Sequence, residues 1–180
     1  MGFYTRKGDD GKTGLLGHER VSKASLIIEV NGCLDETNAV FGIIRSQSQS
    51  IEIQELILDI QKKLYQMMTE IASDQKNINK FQLIDENSVI WLEQKISLFS
   101  DRVSIPKEFI VPGDSPQGAY FAFVRTIVRR SERRLAELQE NTNLKNAYLL
   151  QYLNRLSSLC FILELYVNNL YGKGNQTLVK

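Results

Sequence analysis

Apolar residues recur with a helical period over five stretches of the chain. From about Ala24 to Gln47, the residues Leu26, Val30, Cys33, Thr37, Val40, Phe41 and Ile44 share one stripe. Their spacing of three and four is what a helix with one buried face requires. A second stretch, about Ile51 to Ser73, carries Ile53, Leu56, Ile57, Ile60, Leu64, Met67, Met68 and Ile71 in the same way. A third and shorter one, about Asn87 to Phe99, is built on Val89, Trp91, Leu92, Ile96 and Phe99. The segment FIVPGDSPQG interrupts the pattern. Ser115 suits an N-cap there, and Pro116 suits the first helical position, where its missing N–H costs nothing. A fourth helix is predicted from Pro116 to about Glu140, and a fifth from about Leu144 to Tyr171, ending at GKGN, where glycine offers a positive φ.

Five helices behind a glycine-rich opening predict an all-α five-helix bundle in one domain, residues 1–180. It divides into an opening loop (1–23), the bundle (24–171) and a C-terminal tail (172–180). Within the fifth helix, LCFILELYV is apolar nearly all the way round. Such a helix lies either at the centre of a bundle or beneath a second subunit.

Composition narrows the function. The 43% apolar and 24% charged residues of this 180-residue chain describe a folded domain, and a formal net charge of +1 supplies no global field toward nucleic acid or anionic lipid. No apolar run approaches the roughly 20 residues that span a bilayer, and MGFYTRKGDDG lacks the apolar core of a secretory signal. A cytoplasmic location is expected, with no membrane or nucleic-acid partner. The two cysteines, Cys33 and Cys160, read as buried thiols. A single histidine, His18, argues against a histidine-rich metal site and a Ser/His/Asp triad; the sequence leaves the metal unassigned.

Candidate chemistry starts in TRKGDDGKTGLLG, residues 5–17. This is not a Walker loop, because the position five before Gly11 is Arg6 rather than glycine, and no buried strand precedes it. The ingredients for phosphate are nevertheless present. Gly8, Gly11 and Gly14 allow backbone N–H groups to converge, Thr5 and Thr13 offer hydroxyls, and Arg6, Lys7, Lys12 and Lys23 bring positive charge. A solvated polar arm fits the segment equally well.

In the fourth helix, Tyr120, Val124, Ile127, Val128, Leu135 and Leu138 form the apolar face. Arg125, Arg129 and Arg133 rise at i, i+4 and i+8 nearly opposite, with Glu132 beside them. Such a ladder is either a solvated cationic face or a set of guanidinium forks for a polyphosphate or buried carboxylates. Asn31, Asp35 and Asn38 lie away from the apolar stripe of the first helix, and Asn154 sits among apolar neighbours in YLNRLS.

Taken together, YTRKGDDGKTGLLG with RVSK, GCLDETNAVFG, IVPGDSPQGA, RTIVRRSERR and YLNRLS resemble the ordered motifs of the PduO-type ATP:cob(I)alamin adenosyltransferases over nearly the whole chain. The resemblance implies a homotrimer with active sites between neighbouring subunits. It also implies transfer of the 5′-deoxyadenosyl group of ATP to cob(I)alamin, with Mg²⁺ as an expected companion of the triphosphate. Position by position, it assigns Thr5, Arg6, Lys7, Gly8, Thr13, Gly14 and Lys23 to ATP. Arg129, Arg130, Glu132, Arg133 and Asn154 join them. Asp35 and Arg125 match a pair that bridges subunits beside the corrinoid, and Phe109 matches an aromatic residue at the corrin's lower face. A flavoprotein reductase and an adenosylcobalamin-dependent enzyme are the expected partners. A non-catalytic ATP- and corrinoid-binding relative is the alternative. The chain departs from the pattern at Asp114, where a second glycine is often found, at Ser131, often alanine, and at Lys7, often threonine.

Overall fold

The computed structural model describes residues 4, 6–17, 19–73, 81–172 and 176–179. In chain order the elements are β1 (Lys12–Gly14), β2 (Arg20–Ser22), α1 (Leu26–Gln47), α2 (Ile51–Ile71), α3 (Glu86–Ser100), α4 (Pro116–Asn141) and α5 (Ala147–Tyr171). The five expected helices are present, and the predicted stripes are the buried faces. Val30, Phe41, Ile44, Ile57, Leu64, Val124, Val128 and Leu135 are all fully buried. Each such apolar side chain contributes about 1.5 to 3 kcal/mol of transfer free energy.

Helix ends follow local chemistry. Ser115 caps α4 as expected: the Gly118 N–H donates to its Oγ at 3.0 Å, with Pro116 in the first turn. The α5 helix starts three residues later than its apolar pattern suggests, because Asn146 serves as the cap, its Oδ1 accepting from the Tyr148 N–H at 3.0 Å. Leu144 is buried ahead of that cap as a separate anchor. The α5 terminus corrects one expectation. Gly172 has φ −90°, so this glycine does not supply the left-handed turn, and Gly174 lies outside the described residues. Glycine is required there by space, since a Cβ would stand 2.4 Å from the Asn168 carbonyl oxygen.

The α5 helix is the central one. Leu159, Cys160, Leu163, Leu165 and Val167 are fully covered by this chain's own elements, while Phe161 and Tyr166 of LCFILELYV stay half-buried. Helix α4 runs antiparallel beside α5, and their register is fixed at two points, Ser115 to Asn168 and Glu132 to Asn154. On its other side α4 meets α1 through Thr37 and Ser131, whose hydroxyl oxygens stand 3.3 Å apart while each donates to a carbonyl of its own helix. Ser131, the small residue where alanine is common, thus keeps a close helix contact without an unmet polar group.

Two features lie outside the all-α expectation. β1 and β2 pair antiparallel, with Thr13 opposite Val21, and convert the opening loop into a short hairpin. Near the other terminus, Ile110 and Leu178 form an isolated antiparallel bridge, so part of the C-terminal tail is extended alongside the α3–α4 connection. Among the described residues no helix is long and apolar enough to cross a membrane.

Candidate functional site

The opening hairpin is organised by Arg20, a residue the sequence reading passed over. Its guanidinium donates to both oxygens of Asp10, at 3.0 and 3.1 Å, and to the carbonyls of Lys7 and Lys12, at 2.5 and 3.3 Å. The Lys12 N–H also donates to Asp10, and these donors hold the Asp10 carboxyl below the usual carboxylate range. Amides of Asp9, Gly11 and Lys12 are spent inside the loop, and Gly11 takes a positive φ of 76° to permit it. What the loop offers outward is therefore side-chain charge more than a nest of free amides. Lys23 folds over Gly8 so closely that a Cβ there would meet its Nζ at 3.1 Å. Arg6, Lys7 and Gly14 are exposed at or near the surface, and Thr13 is half-buried in β1. Thr5 falls outside the described residues. The loop is moored to α2 by the Leu16 N–H donating to the Ala72 carbonyl at 2.8 Å.

On α4, the arginine ladder is not uniform. Arg129 and Arg133 are exposed, and neither has a hydrogen bond or ion pair among the described residues. Between them, Glu132 accepts from the Asn154 Nδ2 at 2.9 Å, which joins α4 to α5, a pairing not read from the sequence. Arg130 turns the other way and pairs with Glu36 on α1. Arg125, at the foot of the ladder, is half-buried rather than solvated, and its Nε is covered without a partner.

The polar side of α1 needs a similar correction. Asn38 is 5% exposed, its backbone carbonyl accepting from the Gln61 Nε2 at 3.1 Å and its Oδ1 covered without a partner, so it is packed against α2 rather than facing away. Asn31 is half-buried with a covered, unpartnered Oδ1. Asp35 alone of the three is exposed. It borders a cleft of about 460 Å³ with Leu16, Ile28, Asn31, Tyr65 and Met68, between the loop, α1 and α2. No ion pair joins Asp35 to Arg125 among the described residues of this chain.

Phe109 is 86% exposed, an unusual state for a large apolar ring. It stands in the ribbon that the tail forms with the α3–α4 connection, and its carbonyl accepts from the Val179 N–H at 2.8 Å. One chain thus presents three separate surfaces: a cationic hairpin beside a cleft, an arginine face carrying the Glu132–Asn154 pair, and an exposed aromatic ring.

The cobalamin adenosyltransferase family model matches residues 3–167. This chain belongs to that family. It is 35% identical over 164 residues to the corrinoid adenosyltransferase PduO of Citrobacter freundii, an alignment covering 91% of this chain and 49% of that protein. The chain therefore spans about half the length of that relative. It is 33% identical to the corrinoid adenosyltransferase of Bacillus subtilis over 97% of this chain and 91% of the relative. Among solved structures, a PduO-type ATP:corrinoid adenosyltransferase from Lactobacillus reuteri superposes with a TM-score of 0.92 at 27% identity, covering 99% of each chain. That structure is a phenylalanine-to-alanine variant complexed with cobalamin and ATP. An arginine-to-lysine variant from the same source, complexed with ATP, gives a TM-score of 0.90 at 28% identity over 99% of this chain and all of that one.

One further ionisable group, buried in the helix core, was not singled out from sequence. Glu164, in the middle of the apolar run on α5, is 1% exposed with an unpartnered Oε1. The signal for it was the lone charge in LCFILELYV. Burial pushes its carboxyl up to about 7; the like charge of Asp114 adds to this, and Arg125 opposes it. Burial likewise pushes the neighbouring Cys160 thiol up, leaving it unreactive. The folded chain then holds a proton on Glu164 that the unfolded chain releases, so this group's contribution to stability declines as pH rises from about 4.5 to 7 and is flat above. Wild type should lose up to about 3 kcal/mol relative to Glu164→Gln across that window. Denaturant titrations of both proteins at pH 5 and pH 8 measure it; a pH-independent difference would contradict the assignment.

Proposed function

We propose that this chain transfers the 5′-deoxyadenosyl group of ATP to the cobalt of cob(I)alamin, releasing triphosphate, at sites shared between subunits of a homotrimer. The observation that carries this reading is the pair of exposed, unpaired guanidiniums of Arg129 and Arg133 flanking the Glu132–Asn154 bond. In a member of this family, that is the arrangement a polyphosphate would enter without first breaking an internal ion pair.

The reaction asks little acid–base work of the protein. Cobalt(I) donates its electron pair to the ribose 5′ carbon, the cobalt–carbon bond forms, and the carbon–oxygen pair departs with triphosphate. The residues must hold the reacting atoms in line and stabilise charge on the leaving group. Arg129, Arg133 and Arg130 on α4 serve the phosphates, with Lys23, Lys7 and Arg6 from the hairpin of a neighbouring protomer. Glu132 and Asn154 orient the nucleoside through the polar edge that their mutual bond creates. Asp35 and Arg125, unjoined within one chain, are free to meet across the subunit contact. Phe109 supplies the apolar ring that keeps water and a lower ligand from the cobalt, which eases its reduction. The electron for that reduction comes from a separate reductant, a flavoprotein in the expected scheme.

Among the described residues no three His, Cys, Asp or Glu side chains gather into a metal cage. Mg²⁺ would be carried here by the triphosphate oxygens, its common mode, and would offset their charge as the leaving group departs.

Anaerobic incubation with ATP and chemically reduced cobalamin tests the proposal. A light-sensitive alkyl-cobalt spectrum with stoichiometric triphosphate is expected. Binding of both ligands with no such spectrum would make the chain a sensor or delivery protein instead.

A further inference from the structure

The C-terminal tail is not a free end. Residues 176–179 lie along Phe109–Val111, and the register is fixed by two backbone bonds, Val111 N–H to the Thr177 carbonyl at 2.7 Å and Val179 N–H to the Phe109 carbonyl at 2.8 Å. A ribbon this short is not stable by itself in water. Two side-chain attachments hold it. Asp114 accepts from both the N–H and the hydroxyl of Thr177, at 2.8 and 2.6 Å, one on each carboxylate oxygen. Asn168, 3% exposed, donates its amide to the Gln176 side chain at 3.0 Å. Asn168 is itself fixed, since Ser115 donates to its Oδ1 at 2.6 Å and a Cβ on Gly118 would sit 2.0 Å from that oxygen. The anchorage therefore runs from the buried start of α4 to the exposed ribbon.

Of the two attachments, the one at Asp114 is charge-assisted and the stronger. It also lies five residues from Phe109, at the position where the family pattern often carries glycine. We propose that Asp114 is a positioning residue: by gripping Thr177 it keeps the tail strand paired with Phe109–Val111 and so sets where the Phe109 ring stands. Alternation along the strand places Phe109 and Val111 on one side and Ile110 on the other, so loss of the pairing frees the ring to turn. The functional half of this inference rests on the reading of Phe109 given above.

Two measurements on the intact protein test it. Hydrogen exchange at the Val111 and Val179 amides, without ligand, should quicken by about tenfold in Asp114→Ala and in Thr177→Val, as expected for losing a hydrogen bond to a charged group. Asp114→Asn, which keeps an accepting oxygen, should restore part of the protection. With ATP and Co(II) cobalamin bound, Asp114→Ala should lower the spectroscopic fraction of four-coordinate cobalt while leaving the KM for ATP unchanged. Unaltered exchange in both variants overturns the proposal, as does an unaltered cobalt spectrum in Asp114→Ala when Phe109→Ala abolishes the signal. If Phe109→Ala also leaves the signal intact, the assignment of Phe109 fails first and the positioning role falls with it.

Discussion

Arg129→Ala should lower kcat/KM for adenosyl transfer by about two to three orders of magnitude, the usual effect of removing one donor aimed at developing charge, worth about 3 to 4 kcal/mol. The size follows from what Arg129 lacks as much as from what it is. It is exposed and has no ion pair among the described residues, so its full charge is available to a ligand. Arg130 differs in being held by Glu36 and should give a smaller loss. Because Arg129 supports nothing in the fold, the variant's thermal midpoint should match wild type, and steady-state kinetics with ATP varied would show a fall in kcat together with a raised KM. Arg129→Lys should recover only part of the activity, since an ammonium cannot form the two-pronged contact of a guanidinium. Wild-type kinetics in Arg129→Ala would remove α4 from the chemistry.

Phe109→Ala should have the second large effect, on the corrinoid and not on the nucleotide. Burying an aromatic ring against a ligand contributes about 1.5 to 3 kcal/mol, so the four-coordinate Co(II) population should drop by about ten- to a hundredfold. ATP affinity should stay within error. The fold should also be indifferent, because a ring that is 86% exposed contributes almost nothing to the core of the free chain. Magnetic circular dichroism of bound Co(II) cobalamin with ATP present reads this directly. An unchanged spectrum would remove Phe109 from the corrinoid site.

How much of this was legible in the sequence depends on the range of the interactions concerned. The helices were, because stripes such as Val124, Ile127, Val128 and Leu135 are a local record of which face is buried. The Ser115 cap with Pro116 was legible for the same reason. The β1–β2 hairpin was not: three-residue strands carry too little pattern, and the hairpin is stabilised by Arg20 reaching back to Asp10 and two carbonyls. The tail strand depends on Thr177 finding Asp114 across 63 positions, which no window reveals. Helical spacing also could not tell which polar residues are open. Asn38 and Asp35 are three apart on α1, yet α2 covers the first and leaves the second exposed. Arg125 sank for a comparable reason, since the register set by Ser115–Asn168 and Glu132–Asn154 lays it over the Cys160–Glu164 stretch of α5.

The site residues divide the same way. The resemblance assigned both Glu132 and Asn154 to ATP, but the hydrogen bond that joins them was not read from sequence. Joining the hairpin to the arginine face is another matter, since Gly8, Thr13, Gly14 and Lys23 make no hydrogen bond or ion pair to α4 among the described residues of this chain. The account requires these two surfaces to meet between protomers.

Mixing two inactive variants tests that requirement most directly. Thr13→Asp puts a carboxylate where the triphosphate is expected, and Arg129→Ala removes the guanidinium facing it. If each site takes its hairpin from one protomer and its arginines from the next, the proposed trimers, reassembled from equal amounts, should regain about a quarter of wild-type activity, the share of interfaces in which both halves are intact. Reassembled trimers no more active than either variant alone would place the hairpin and Arg129 in the same chain's site and contradict the shared-site account.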